Sequence, residues 1–158
     1  MACFCRRSQR RTTTVRNLDQ NNFIPSAVEV FNSATQTVDP NEEILFLQTN
    51  YNTGVSFSVR NDNLGVDIVA AGVYKITFTG VASTAIDGNI SLALTLNGVP
   101  FPQSEVTQYV TSVGPQIVST TMIFKVVSPN ADIGVINTGD ISFDITNAKL
   151  EIVRTGNF

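Results

Sequence analysis

Histidine and tryptophan are absent from this 158-residue sequence, and cysteine occurs only twice. Without histidine the commonest general base and metal ligand is missing, and neither a Ser-His nor a Cys-His pair can be built. No Gly-rich loop follows a strand and opens a helix, so no phosphate cradle is expected. Ten glycines are too few for a Gly-X-Y stalk. The apolar runs are short and alternating, far below the roughly 18 residues that would span a membrane. No apolar segment of the signal-peptide kind follows the N-terminal charges, so synthesis in the cytosol is expected. The expectation is a chain that is not an enzyme, does not cross a membrane and carries no cofactor.

Apolar residues make up 42% of the chain, enough for one domain with a real core. From about residue 26 they fall at every second position. In GVYKITFTG, Tyr74, Ile76 and Phe78 share one face while Lys75, Thr77 and Thr79 share the other. NISLALTL repeats the pattern with Ile90, Leu92, Leu94 and Leu96. Val55, Phe57 and Val59, then Met122, Phe124 and Val126, then Ile141, Phe143 and Ile145, then Leu150 and Ile152 follow suit. This is the period of half-buried strands. Turn chemistry separates the runs at Asn52-Thr53-Gly54, Asp87-Gly88, Asn97-Gly98, Ser128-Pro129-Asn130 and Thr138-Gly139-Asp140. Asn97-Gly98 is the strongest hairpin signal, because a type I′ turn needs positive φ at both central residues. Eight to ten short strands at such spacing predict an all-β, two-sheet antiparallel β-sandwich or jelly roll over residues 26–158.

Ile44-Leu45-Phe46-Leu47 breaks the alternation, reading as a strand apolar on both faces. A loop or another subunit must then cover its outer side. Leu45, Phe46, Leu47 and Tyr74 are accordingly candidates for the core or for an inter-subunit contact. Asp132, Asp140 and Asp144 crowd the turns late in the chain, where turn chemistry on a solvated face is expected ahead of a calcium site.

Residues 1–25 are of another character and read as an extended arm. Residues 1–16 hold five arginines (Arg6, Arg7, Arg10, Arg11 and Arg16) and no Asp or Glu. Residues 17–158 hold five Lys and Arg against thirteen Asp and Glu, so an arm of +5 precedes a body of −8. The acidic body disfavours nucleic acid as a partner. In an extended arm Cys3 and Cys5 point the same way, roughly 6.5–7 Å apart, too far to bridge each other without a bend. With no third cysteine in the chain, they are either free thiols or partners in disulfides between chains. Two thiolates alone do not complete a tetrahedral zinc site. Thr12-Thr13-Thr14-Val15 has strand propensity and could add to the edge of a neighbour's sheet.

GVYKITFTG at 72–80, LTLNGVPFPQ at 94–103, PQIV at 115–118 and AKLEIVR at 148–154 carry a resemblance. Over about residues 28–155 the chain resembles the C-terminal domain of the collagen-like glycoprotein of the Bacillus exosporium. That domain is one of the tumour-necrosis-factor-like (TNF-like) and complement-globular-head-like jelly rolls. The resemblance implies a homotrimer on the spore surface, closed on apolar and aromatic residues around a three-fold axis. Where that family has a collagen-like stalk, this chain has its basic, cysteine-tipped arm. Cys3, Cys5 and the five arginines are then inter-subunit connectors, reaching the acidic body of the next trimer or an anchoring protein of the exosporium. Trimers joined head to tail without closure form a filament, which makes a spore appendage fibre the expected assembly. A trimeric adhesin or lectin-like head, binding a receptor or carbohydrate, is the alternative.

Overall fold

The computed structural model describes residues 23–157. Cys3, Cys5 and the five arginines of the arm lie outside them. The described residues form twelve strands and one 3-10 turn (Pro102–Ser104). β1 (Ala27–Asn32), β3 (Gln48–Thr53), β6 (Gly72–Ser83), β10 (Gln116–Val126) and β12 (Phe143–Gly156) make one sheet in the order β10-β6-β12-β1-β3. β2 (Gln36–Val38) continues β1 along β12. The second sheet runs β4 (Phe57–Val59), β5 (Val66–Ile68), β11 (Ala131–Asn137), β7 (Gly88–Leu96), β8 (Val99–Pro100), with β9 (Val106–Val110) also on β7. All pairs are antiparallel, and the two sheets make a jelly roll.

The core lies between the sheets and follows the sequence alternation. Along β6, Gly72, Tyr74, Ile76, Phe78, Gly80 and Ala82 are buried and every residue between them is at least partly exposed. They face Ile90, Leu92 and Leu94 of β7 and Ile133 and Val135 of β11 in a single apolar cluster. Each aliphatic side chain buried in this way contributes about 1.5–3 kcal/mol. Asn97 (φ 53°) and Gly98 (φ 73°) form the expected positive-φ hairpin turn between β7 and β8.

Two sequence expectations are corrected. Residues 44–47 are not a strand. They cross from the second sheet, where the Ile44 amide donates to Val135 O, to the first, where β3 begins. Ile44 and Phe46 turn into the core, whereas Leu45 (38% exposed) and Leu47 (55%) face out. The Gln36 side chain accepts from the Leu45 amide and donates to its carbonyl, both at 2.9 Å, replacing a ladder partner. Val55 does not share a face with Phe57 either. It is 70% exposed in the turn before β4, and Ser56 is buried in its stead. Ser56 Oγ donates to Ser26 Oγ at 3.0 Å, tying this turn to the start of β1.

Candidate functional site

Two bulges shape the outer face of the first sheet. In the β1–β3 ladder, Glu29 pairs Tyr51 and Val30 pairs Thr49, so Asn50 is the extra residue. In the β12–β6 ladder, Thr146 pairs Val81 and Lys149 pairs Thr79, so Asn147 and Ala148 together face Gly80. Asn147 takes φ 54°, a conformation asparagine tolerates better than most residues. Such insertions bend a strand and re-aim its side chains. Between the bulges lies a depression of about 420 Å³, lined by Glu29, Phe31, Ser33, Asn50, Asn147 and Lys149.

Glu29 is 9% exposed although it points away from the core. A buried carboxylate requires partners. Asn50 Nδ2 donates to its Oε1 at 2.9 Å, and Lys149 Nζ stands 3.5 Å from its Oε2. Beside it the Tyr51 hydroxyl donates to Glu151 Oε1 at 2.6 Å. Burial, this hydrogen bond and the nearby Glu151 and Glu29 charges push the Tyr51 phenol above its ordinary ionisation range. The remainder of the face carries Thr77, Thr79, Val81, Ala27 and Val153, with no layer over them among the described residues.

The same sheet ends in an apolar margin at β10, the far end of its strand order from β3. β9, β10 and the turn between them expose Tyr109 (56%), Val113 (93%), Ile117 (76%) and Ile123 (65%). β10 is also an eleven-residue edge strand, and long apolar edges invite pairing or burial. The signal was in the sequence: Ile117-Val118 and Met122-Ile123-Phe124 put apolar residues on both faces of one strand. Glu29, within the apolar run AVEVF, was the corresponding signal for the depression.

The residues singled out from sequence are dispersed. Phe46 packs edge-on against Phe78 (6.4 Å between centroids, 79°), and Tyr74 against Phe57 (5.7 Å, 70°). The Tyr74 hydroxyl donates to Ala70 O at 2.6 Å. Both rings belong to the core, and Leu45 and Leu47 lie on the margin away from β10. Asp132 sits beside Arg60 (3.4 Å) and directly across from Asp67, near the β7–β8 turn. Asp140 and Asp144 are at the other end of the sandwich, so the three late carboxylates do not converge. Among the described residues no group of three or more acidic or cysteine side chains could hold a metal ion.

No family model matches the chain, and no curated protein matches it in sequence. Solved structures do match. Murine APRIL at pH 5.0 superposes with a TM-score of 0.65 at 11% identity, over 84% of this chain and 100% of that one. The globular domain of the zebrafish complement 1qA protein gives 0.63 at 12%, over 85% and 100%. The Eiger TNF of S. frugiperda gives 0.59 at 14%, over 86% and 94%. At such identities the likeness speaks to architecture: the body of this chain is an all-β jelly roll of the TNF and complement-1q kind.

Proposed function

We propose that this protein is a structural, self-assembling subunit of the bacterial spore surface. In this reading three copies close into a trimer, and the N-terminal arm joins trimers head to tail into an appendage fibre. The observation that carries the self-association is the pairing of two different patches on one molecule. The uncovered face around β1, β3 and β12 and the apolar margin of β9 and β10 are different surfaces, because β3 and β10 stand at opposite ends of the first sheet's strand order. A contact between unlike patches is heterologous, and such contacts close into rings when the rotation permits. The spore setting rests on the sequence resemblance at 72–103, and the joining role on the arm's charge and cysteines.

Light scattering on a chain beginning at Ala27 tests the trimer: three times the protomer mass is expected. Ile123→Asp, a charge placed on the apolar margin, should reduce it to one protomer mass. A wild-type monomer would overturn the reading.

A second reading has an observation of its own. Asn50, Asn147, Glu29 and Lys149 around Phe31 offer amide, charged and aromatic groups of the kind that hold a sugar. A trimeric carbohydrate-binding head would use that depression. Glycan-array binding that survives removal of residues 1–16 and is lost in Asn50→Ala would favour the head over the fibre subunit.

A further inference from the structure

The strand registers give the body two unlike ends. Ser26, Thr53, Gly72, Leu96, Val126 and Arg154 mark the end at which residues 1–22 join the body. Its loops are 54–56, 69–71, 97–98 and 127–130, with the chain segments 23–26 and 155–157, and none contains a charged residue. The far end consists of residues 38–42, 84–87, 111–115 and 138–142. These carry Asp39, Glu42, Asp87 and Asp140, with Asp144 just inside β12, and neither Lys nor Arg. The remaining connections run along the side of the sandwich.

The far end also holds a cavity. It measures about 130 Å³ and is lined by Thr37, Ala85, Ser142, Phe143 and Asp144. Thr37 Oγ1 donates to Asp144 Oδ1 at 2.6 Å, and Ser142 Oγ donates to Asp39 Oδ1 at 2.6 Å. Each carboxylate is thereby oriented by a hydroxyl through one oxygen. Such a cleft takes one side-chain head group, and a guanidinium is the best match to carboxylate oxygens at its rim.

We propose that this far-end cavity is the docking site for the N-terminal arm, residues 1–22, of a second copy of the chain. The inference rests on the fibre reading above and assigns the surface on which the arm lands. Three observations select this occupant. The arm brings five arginines and a single carboxylate, Asp19, to a surface with only carboxylates. It leaves the body at the opposite end, so a second molecule stacked in line with its own presents a far end directly to it. Its 22 residues span up to roughly 70 Å when extended, more than the roughly 45 Å that the fourteen residues of β12 cover.

The test uses the full-length chain. Asp39→Asn, Asp140→Asn and Asp144→Asn together keep the oxygens that accept from Ser142 and Thr37 and remove three charges. The control removes three charges away from the far end: Asp62→Asn, Asp67→Asn and Glu105→Gln. The far-end variant should form trimers of unchanged mass and melting temperature. It should need about tenfold more protein to form fibres in low salt, as several exposed ion pairs lost together imply. The control should assemble like wild type. As an independent readout, Ala85→Cys should give an oxidised, dithiothreitol-sensitive ladder whose cross-links map by mass spectrometry to Cys3 or Cys5. Gly98→Cys, at the arm's own end, should not. Wild-type fibres with an unaffected far-end variant, or Ala85→Cys cross-links formed without the arm, overturn the docking site and leave the fibre reading standing. Wild-type protein that remains as discrete particles overturns both.

Discussion

Tyr51 holds its proton between two carboxylates, and this makes a single phenol a reporter of alkaline stability. An unfolded tyrosine ionises near pH 10. The folded one ionises above that, because burial, the bond to Glu151 and the surrounding negative charge all oppose the phenolate. Between the two values the folded chain holds a proton that the unfolded chain has released, so stability falls as pH rises. Below about pH 10 the contribution is fully present. Tyr51→Phe should cost about 1 kcal/mol at neutral pH and should lessen the drop in melting temperature above pH 10. Curves for variant and wild type that run parallel there would remove Tyr51 from the account. Some slope should persist, since burial also raises the Tyr74 phenol. Phe46 tests the core. Phe46→Ala removes a ring that is 1% exposed and in edge contact with Phe78, and should cost about 3–5 kcal/mol in chemical unfolding. Phe46 and Tyr74 were legible as large apolar residues in apolar runs. Glu29 was signalled only by its place in the apolar run AVEVF, because the bulges that bury it are announced by no local pattern.

At the level of the element, legibility followed how local the cause is. The β7–β8 turn was readable because Asn97 and Gly98 determine their own φ angles. The strands β6 and β7 were readable because alternation repeats over eight residues or more, whereas β12 was readable only as two runs, Ile141–Ile145 and Leu150–Ile152, because the Asn147-Ala148 bulge shifts the alternation by one residue. Residues 44–47 were misread as a strand, since the partners that place them, Val135, Asn63 and Gln36, are distant or off the pattern. Val55 was misread because three alternating residues cannot distinguish a strand from the turn leading into it. Gly65 is the clearest case of a tertiary cause. It takes φ +152°, and a Cβ there would lie 1.9 Å from the Ile133 carbonyl oxygen. Gly65→Ala should therefore separate β5 from β11 and cost about 2–4 kcal/mol. Gly98→Ala, with nothing within 4 Å of the added atom, should cost about 1 kcal/mol from its positive φ alone. Equal losses in thermal unfolding would refute the distinction.

For the whole molecule, the fold was legible and the assembly was legible only as an expectation, because a single chain does not display what covers its outer surfaces. Deletion of residues 1–16 should leave folded trimers and abolish fibres, as judged by negative-stain microscopy. Replacing Cys3 and Cys5 by Ser should still permit assembly but give fibres that dissociate at lower denaturant concentration. If the truncated chain polymerises like the full one, the arm is not the connector. Neutralising the arginines should weaken assembly most in low salt, where charge attraction is least screened.

The unlike ends of the body bear on more than docking. A file of copies built from such a subunit has a direction, as an arrow does. In the proposed fibre one terminus would present arms with Cys3 and Cys5, and the other would present the acidic loops of the far end. A surface that captures one terminus leaves the other pointing outward on every file it bears. In such a fibre the first copy laid down would fix which chemistry meets the surroundings, and later copies would only carry that choice farther out.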